Sequence, residues 1–237
     1  MSIEQSATAE KPDEASFERA RTNMIQQQIR PWGVLDASVL ELLGRVPRDR
    51  FVPPHLRSLA YVDCELPLNV GQGDTGEVML APKIEARTLQ DLHIQPRDLV
   101  LEVGTGSGYM AALAAHKAQT VWTIELLPGI AAFGAANLAR AGVRNAHVEE
   151  GDGAGGWPAH APYDVIIVSG ALPEIPAGML AQLKLGGRLA AIVGSAPAMQ
   201  LQIVRRISED RFETRPVLET VTRYLRNTRA PSAFRFR

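Results

Sequence analysis

The chain has 237 residues, 46% of them hydrophobic and 22% charged, with a formal net charge of -1. That is the profile of an ordinary globular chain large enough to bury its own core; it excludes a disulfide-stapled scaffold and gives no overall pull toward nucleic acid or a membrane. A single cysteine, Cys64, allows no intrachain disulfide and suggests the reducing cytoplasm, and no apolar run approaches the ~20 residues of a bilayer span.

In chain order, MSIEQSATAEKPDEAS is acidic and polar, unlike a signal peptide, and residues 1–16 are expected to be a disordered tail. Residues 17–80 read as a helical cap and loop. FERARTNMIQQQIR (17–30) is a helix ended by Pro31, and Asp36 can cap a second helix that stops before Pro47. A proline-rich irregular stretch follows. Residues 81–237 then alternate strand and helix: a helix over 83–92, strand 98–104, helix 109–117, strand 120–125, helix 129–141, strand 145–150, strand 163–170, short helix 176–183 and strand 187–194. This spacing predicts an α/β fold, a mostly parallel sheet with helices on both faces. LQIVRRIS and RFETRPVLETVTRYL lack an intervening helix and read as antiparallel strands added at the sheet edge.

The first strand runs into GTGSGYMAALAA. Gly104, Gly106 and Gly108, with Thr105 and Ser107 between them, allow a tight turn and a close ligand approach at a helix start. The spacing is G-x-G-x-G, and Tyr109 stands where a dinucleotide fingerprint has its third glycine. Glu102 lies inside the strand end, where it repels phosphate and suits a cation. S-adenosylmethionine carries an ammonium and a sulfonium and no phosphate. Glu125, ending the second strand, can accept both ribose hydroxyls; Asp152 and Gly153, after the third, can meet the adenine. Acids at successive strand ends fit a class I S-adenosylmethionine-dependent methyltransferase, Rossmann-like, with that cofactor across the carboxyl edge of the sheet. The five histidines show no metal-ligand spacing, so no metal is expected.

Several stretches carry a more specific likeness: VLELLGRVPRDRFVP (39–53), LAYVDCELPL (59–68), VLEVGTGSGYMAALAA (100–115), GDG (151–153), PYDVIIVSGALPEIP (162–176) and LKLGGRLAAIVG (183–194). Over residues 22–220 the chain resembles the protein-L-isoaspartate O-methyltransferases. The resemblance implies a cytosolic enzyme that moves the methyl of S-adenosylmethionine to the α-carboxylate of an isoaspartyl residue, with a protein or peptide carboxylate as substrate and a part in repair of damaged proteins. It also implies a loop G-x-T-[IV]-S-x-P whose serine serves catalysis. Here GQGDTGEVMLAP (71–82) departs from that pattern. Counted back from Pro82, Val78 and Leu80 replace the threonine and serine, with Met79 between them. Counted forward from Gly71, Thr75 keeps the threonine and is the candidate catalytic hydroxyl, while Glu77 takes the serine position. Two other readings stay open: methyl transfer to a different acceptor, and S-adenosylmethionine binding without catalysis. Residues 200–237 hold nine arginines against four acids, a charged edge or a docking surface for an acidic partner; with few aromatics interleaved, nucleic acid is not expected to bind.

Overall fold

A computed structural model describes residues 13–70 and 73–228. Helix α1 (Glu14–Asn23) begins after Asp13, whose side chain accepts from the Ser16 N–H at 2.7 Å. The helix therefore starts three residues before the apolar pattern does; residues 1–12 of the expected tail lie outside the described residues. Its end also differs from expectation. The backbone widens to a π-helix over Met24–Ile29 and tightens to a 3-10 turn over Arg30–Trp32, so Pro31 sits within the turn and Gly33, left-handed at φ 80°, ends it. The wide turn brings Met24, Ile25 and Ile29 all inward. Pro31 enters at the junction, where a missing N–H is tolerated. Helix α2 (Ala37–Arg45) is capped as its sequence predicts, with Asp36 accepting from the Ser38 and Val39 N–H groups.

After a run of proline-rich turns, β1 (Leu66–Pro67) pairs antiparallel with β2 (Val78–Met79). Helix α3 (Pro82–Leu92) leads into the alternating part: β3 (Leu99–Val103), α4 (Tyr109–Ala115), β4 (Thr120–Glu125), α5 (Pro128–Arg140), β5 (Ala146–Glu150), β6 (Tyr163–Leu172), α6 (Ala177–Ala181), β7 (Leu183–Ser195), β8 (Ala198–Arg206) and β9 (Phe212–Glu219). The sheet order is β5-β4-β3-β6-β7-β8-β9. Pairs from β5 to β7 are parallel; β7–β8 and β8–β9 are antiparallel. Pro216 within β9 is tolerated because β9 is an edge strand, and the register shifts beside it.

Strand alternation splits the core in two. Val100, Val165, Ile167, Ala190 and Ile192 face α3, α4, α5 and the N-terminal helices in one continuous cluster. Leu101, Val103, Ile166, Val168, Leu189 and Ala191 face the other way, under the short α6, Trp157 and Ala161. Each such valine, leucine or isoleucine contributes roughly 1.5–3 kcal/mol by leaving water. The N-terminal helices thus share the main core with the sheet. Among the described residues no helix is long and apolar enough to cross a membrane.

Candidate active site

The chain leaves β3 toward β4 and β5, then returns to lay β6 on the other side of β3. A crevice opens at the carboxyl ends of strands where the order reverses in this way. It holds a half-open cleft of about 760 Å³, open solvent included, in the kind of crevice where small-molecule sites form.

The glycine loop forms one wall. Gly104 and Gly106 have φ of 93° and 52°, and a Cβ on Gly104 would lie 3.3 Å from the Ser169 carbonyl oxygen. Only glycine gives this path without strain. Thr105 and Ser107 line the cavity with their hydroxyls engaged: Thr105 Oγ1 lies 2.8 Å from Thr123 Oγ1, and Ser107 Oγ accepts from the Tyr109 N–H at 3.2 Å. Gly108 is not among the described residues lining the cavity. A Cβ there would sit 2.9 Å from the Gly134 carbonyl oxygen, so its glycine serves the contact of α4 with α5. Asn137, on α5, donates to the carbonyls of Ser107 at 2.8 Å and Phe51 at 3.1 Å. It ties the loop to the N-terminal region.

The acids meet here. Glu102 is fully buried and accepts from Thr123 Oγ1 at 2.7 Å and Ser169 Oγ at 2.8 Å. Burial pushes its pKa up to about 8, against the pull of those two hydroxyls, and the Glu85 and Glu125 carboxylates push it further. Glu125 is raised too, chiefly by burial; it accepts from the Gly106 N–H at 3.0 Å and the Leu127 N–H at 3.1 Å. Asp152 accepts from the Ala154 N–H at 3.0 Å and Asn227 Nδ2 at 2.9 Å. Beside it a Cβ on Gly153 would lie 2.7 Å from Val103 Cγ1, so the strand end and this turn touch closely.

The loop before α3 supplies the facing wall. Val78, Met79 and Leu80 line the cavity, as does Glu77. Thr75 is not among the described lining residues; its hydroxyl donates to the Leu68 carbonyl at 3.3 Å and accepts from the Glu77 N–H at 3.2 Å. Gly71 and Gln72 lie outside the described residues. Buried Arg48 holds the wall from behind: Nη2 donates to the Leu80 carbonyl at 2.7 Å, Nε to the Ala60 carbonyl at 2.9 Å, and Nη1 to the Glu85 carboxylate. Burial raises Glu85 to about 7, with Arg48 pulling the other way.

The C-terminal segment completes the mouth. Ala171 and Tyr224 form a parallel bridge, and Leu225 and Arg226 line the cavity. Arg226 Nε donates to Glu77 at 2.5 Å and its Nη2 to the Thr75 carbonyl at 2.6 Å. Among the described residues no group of three His, Cys, Asp or Glu could hold a metal ion.

The donor set suits a cation such as S-adenosylmethionine: carboxylates at three strand ends, beside a loop whose glycines take a path that a Cβ would block.

The family model for protein-L-isoaspartate(D-aspartate) O-methyltransferase matches residues 19–229. A protein-L-isoaspartate O-methyltransferase of Methanoculleus marisnigri is 46% identical over 200 residues, covering 84% of this chain and 88% of its own. One of Synechococcus sp. is 43% identical over 189 residues, covering 79% and 75%. A solved protein-L-isoaspartate O-methyltransferase superposes with a TM-score of 0.72 at 26% identity; the match takes in 86% of this chain and 65%, just under two thirds, of that one. A Plasmodium falciparum structure, a candidate protein-L-isoaspartate O-methyltransferase solved with S-adenosyl-L-homocysteine, also gives 0.72, at 17% identity over 89% and 98%, and shares the fold. With this fold, this cavity and relatives matched over most of their length, the chain belongs to the protein-L-isoaspartate O-methyltransferase family.

Proposed function

We propose that the protein transfers a methyl group from S-adenosylmethionine to a protein or peptide carboxylate of the isoaspartyl class, in the cytoplasm, and that its turnover on this acceptor is slow. Glu102 would hold the ammonium of the donor, Glu125 the ribose hydroxyls, and Asp152 with Gly153 the adenine edge; Thr105, Ser107 and the glycines of the loop would shape the space between. The bound donor supplies a methyl group already activated by its sulfonium. A carboxylate acceptor is ionised near neutral pH, so the chain needs no strong base. Its residues have to place the acceptor, keep water out and balance its charge.

The observation that carries the slow-turnover reading is the facing wall. Val78, Met79 and Leu80 line the cavity where a hydroxyl is expected, and the Thr75 hydroxyl is engaged with backbone away from the lining. Loss of one positioned donor typically lowers a rate by ~10²–10³ where that donor steadies reacting charge. The test is release of S-adenosylhomocysteine on an isoaspartyl peptide, beside a hydroxyl-bearing relative. A rate equal to the relative's overturns the slow-turnover reading. Tight donor binding without isoaspartyl turnover replaces the reading with a different acceptor or a non-catalytic binder.

A further inference from the structure

The geometry points to Arg226 as the residue that recognises the acceptor's carboxylate, an inference that rests on the carboxyl-methylation reading above. The electrostatics of the cavity set the problem. Glu77, Glu85, Glu102, Glu125 and Asp152 all line it. Such a wall suits a donor bearing cationic groups. It offers an anionic acceptor no counter-charge: Glu85 is already paired with Arg48, burial holds Glu102 toward its neutral form, and the remaining carboxylates oppose a further anion. Among the described lining residues Arg226 is the one cation.

The backbone holds it at the mouth. Leu225 N–H donates to the Ala171 carbonyl at 2.9 Å, and Ala171 N–H to the Arg223 carbonyl at 2.8 Å. Tyr224 Oη donates to the Gly194 carbonyl at 2.9 Å. Leu225 packs so closely on Gly170 that a Cβ there would lie 2.7 Å from Leu225 Cδ2. The Arg226 side chain therefore starts from a fixed point beside the end of β6. Its guanidinium bonds Glu77 and the Thr75 carbonyl through Nε and Nη2, the two residues' chain running straight on into Val78, Met79 and Leu80. The side chain is 47% exposed, and Nη1 makes none of these contacts. A planar fork with donors unused among the described residues is suited to a carboxylate. It stands next to the wall that lacks a hydroxyl, and Glu77 is a carboxylate already seated on it. An acceptor carboxylate would share or displace Glu77.

A purely structural latch would look alike in shape and differ in solution. The experiment titrates an isoaspartyl peptide into the S-adenosylhomocysteine-loaded full-length protein and, separately, measures steady-state turnover. Arg226→Gln is expected to weaken peptide binding and raise KM at least tenfold, with kcat and S-adenosylhomocysteine affinity changed less than threefold. Arg226→Lys should restore part of the loss, because it keeps the charge without the fork. Glu77→Gln should tighten peptide binding severalfold by removing the competitor. Unchanged peptide binding in Arg226→Gln overturns the inference, as does an equal fall in S-adenosylhomocysteine affinity, or an unmutated protein that does not bind the peptide. Peptide binding that depends on Arg226 without any methyl transfer supports the inference and overturns the functional reading instead.

Discussion

The Glu125 carboxylate accepts the Gly106 N–H at 3.0 Å, so the end of β4 and the glycine loop after β3 form one unit before any ligand arrives. Its other oxygen accepts the Leu127 N–H at 3.1 Å and fixes the start of α5. Glu125→Ala removes a ligand acceptor and a loop tether together. S-adenosylhomocysteine binding should weaken by about 1–3 kcal/mol, the scale for hydrogen bonds to a charged group. Calorimetry showing unchanged affinity would count against the whole cofactor assignment.

Gly134 tests the same loop from behind. In a helix interior alanine is favoured over glycine by about 1 kcal/mol. Here an added Cβ would lie 2.7 Å from Thr105 Cγ2 and 3.0 Å from the Gly106 carbonyl oxygen. Gly134→Ala should therefore loosen cofactor binding despite the better helix former. A variant that melts higher and binds S-adenosylhomocysteine as well as before would show that the loop yields freely.

Glu102 makes the site pH-dependent. Its folded pKa, about 8, is above the ordinary 4.5. A raised carboxyl holds its proton better in the folded state, so its stabilising contribution is whole below about 4.5 and is lost as pH rises through 8. The ligand-free protein should lose melting temperature from pH 5 to pH 8, and Glu102→Gln should flatten that slope. Binding a cation at Glu102 below pH 8 should release a proton, seen as a calorimetric heat that varies with buffer; a buffer-independent heat would place the cation elsewhere.

Arg48 and Glu85 are a buried pair, each under 5% exposed. Arg48→Met strands the Glu85 carboxylate and frees the Leu80 carbonyl; breaking such a pair costs about 3–5 kcal/mol. Arg48→Met combined with Glu85→Leu should cost clearly less than Arg48→Met alone in chemical denaturation. Additive losses would mean that the charges do not depend on one another.

Much of this architecture is legible locally. Thr120–Glu125 is a strand over the residues expected, because an apolar run is bounded by polar ones, and Asp36 caps α2. Eight of the nine cofactor positions read from the sequence, Glu102, Gly104–Ser107, Glu125, Asp152 and Gly153, line one cavity because strand ends in a parallel sheet all point to one edge, and Gly108 does not. What stays hidden is contact between distant segments. Arg48 reads as one charge in a polar turn, and Asn137 as a break in an alanine-rich helix. The two-residue ladder of β1 and β2 has no periodicity to read, and the run of Leu225 and Arg226 across the mouth depends on a bridge to Ala171. One signal was present for Glu85: it shares the spacing of Thr88, Leu89 and Leu92, the buried stripe of α3, where a carboxylate needs a partner.

The segment from Thr75 to Leu80 is gripped from two sides, by Arg48 of the N-terminal region at the Leu80 carbonyl and by Arg226, near the last described residue, at the Thr75 carbonyl. A ligand pressed against that segment would act as a clasp joining the N-terminal region to the last described residues. At a hundred times its Kd it would add about 2.7 kcal/mol to the folded state, so that the regions around Arg48 and Arg226 should gain protection from proteases together when the cleft is filled.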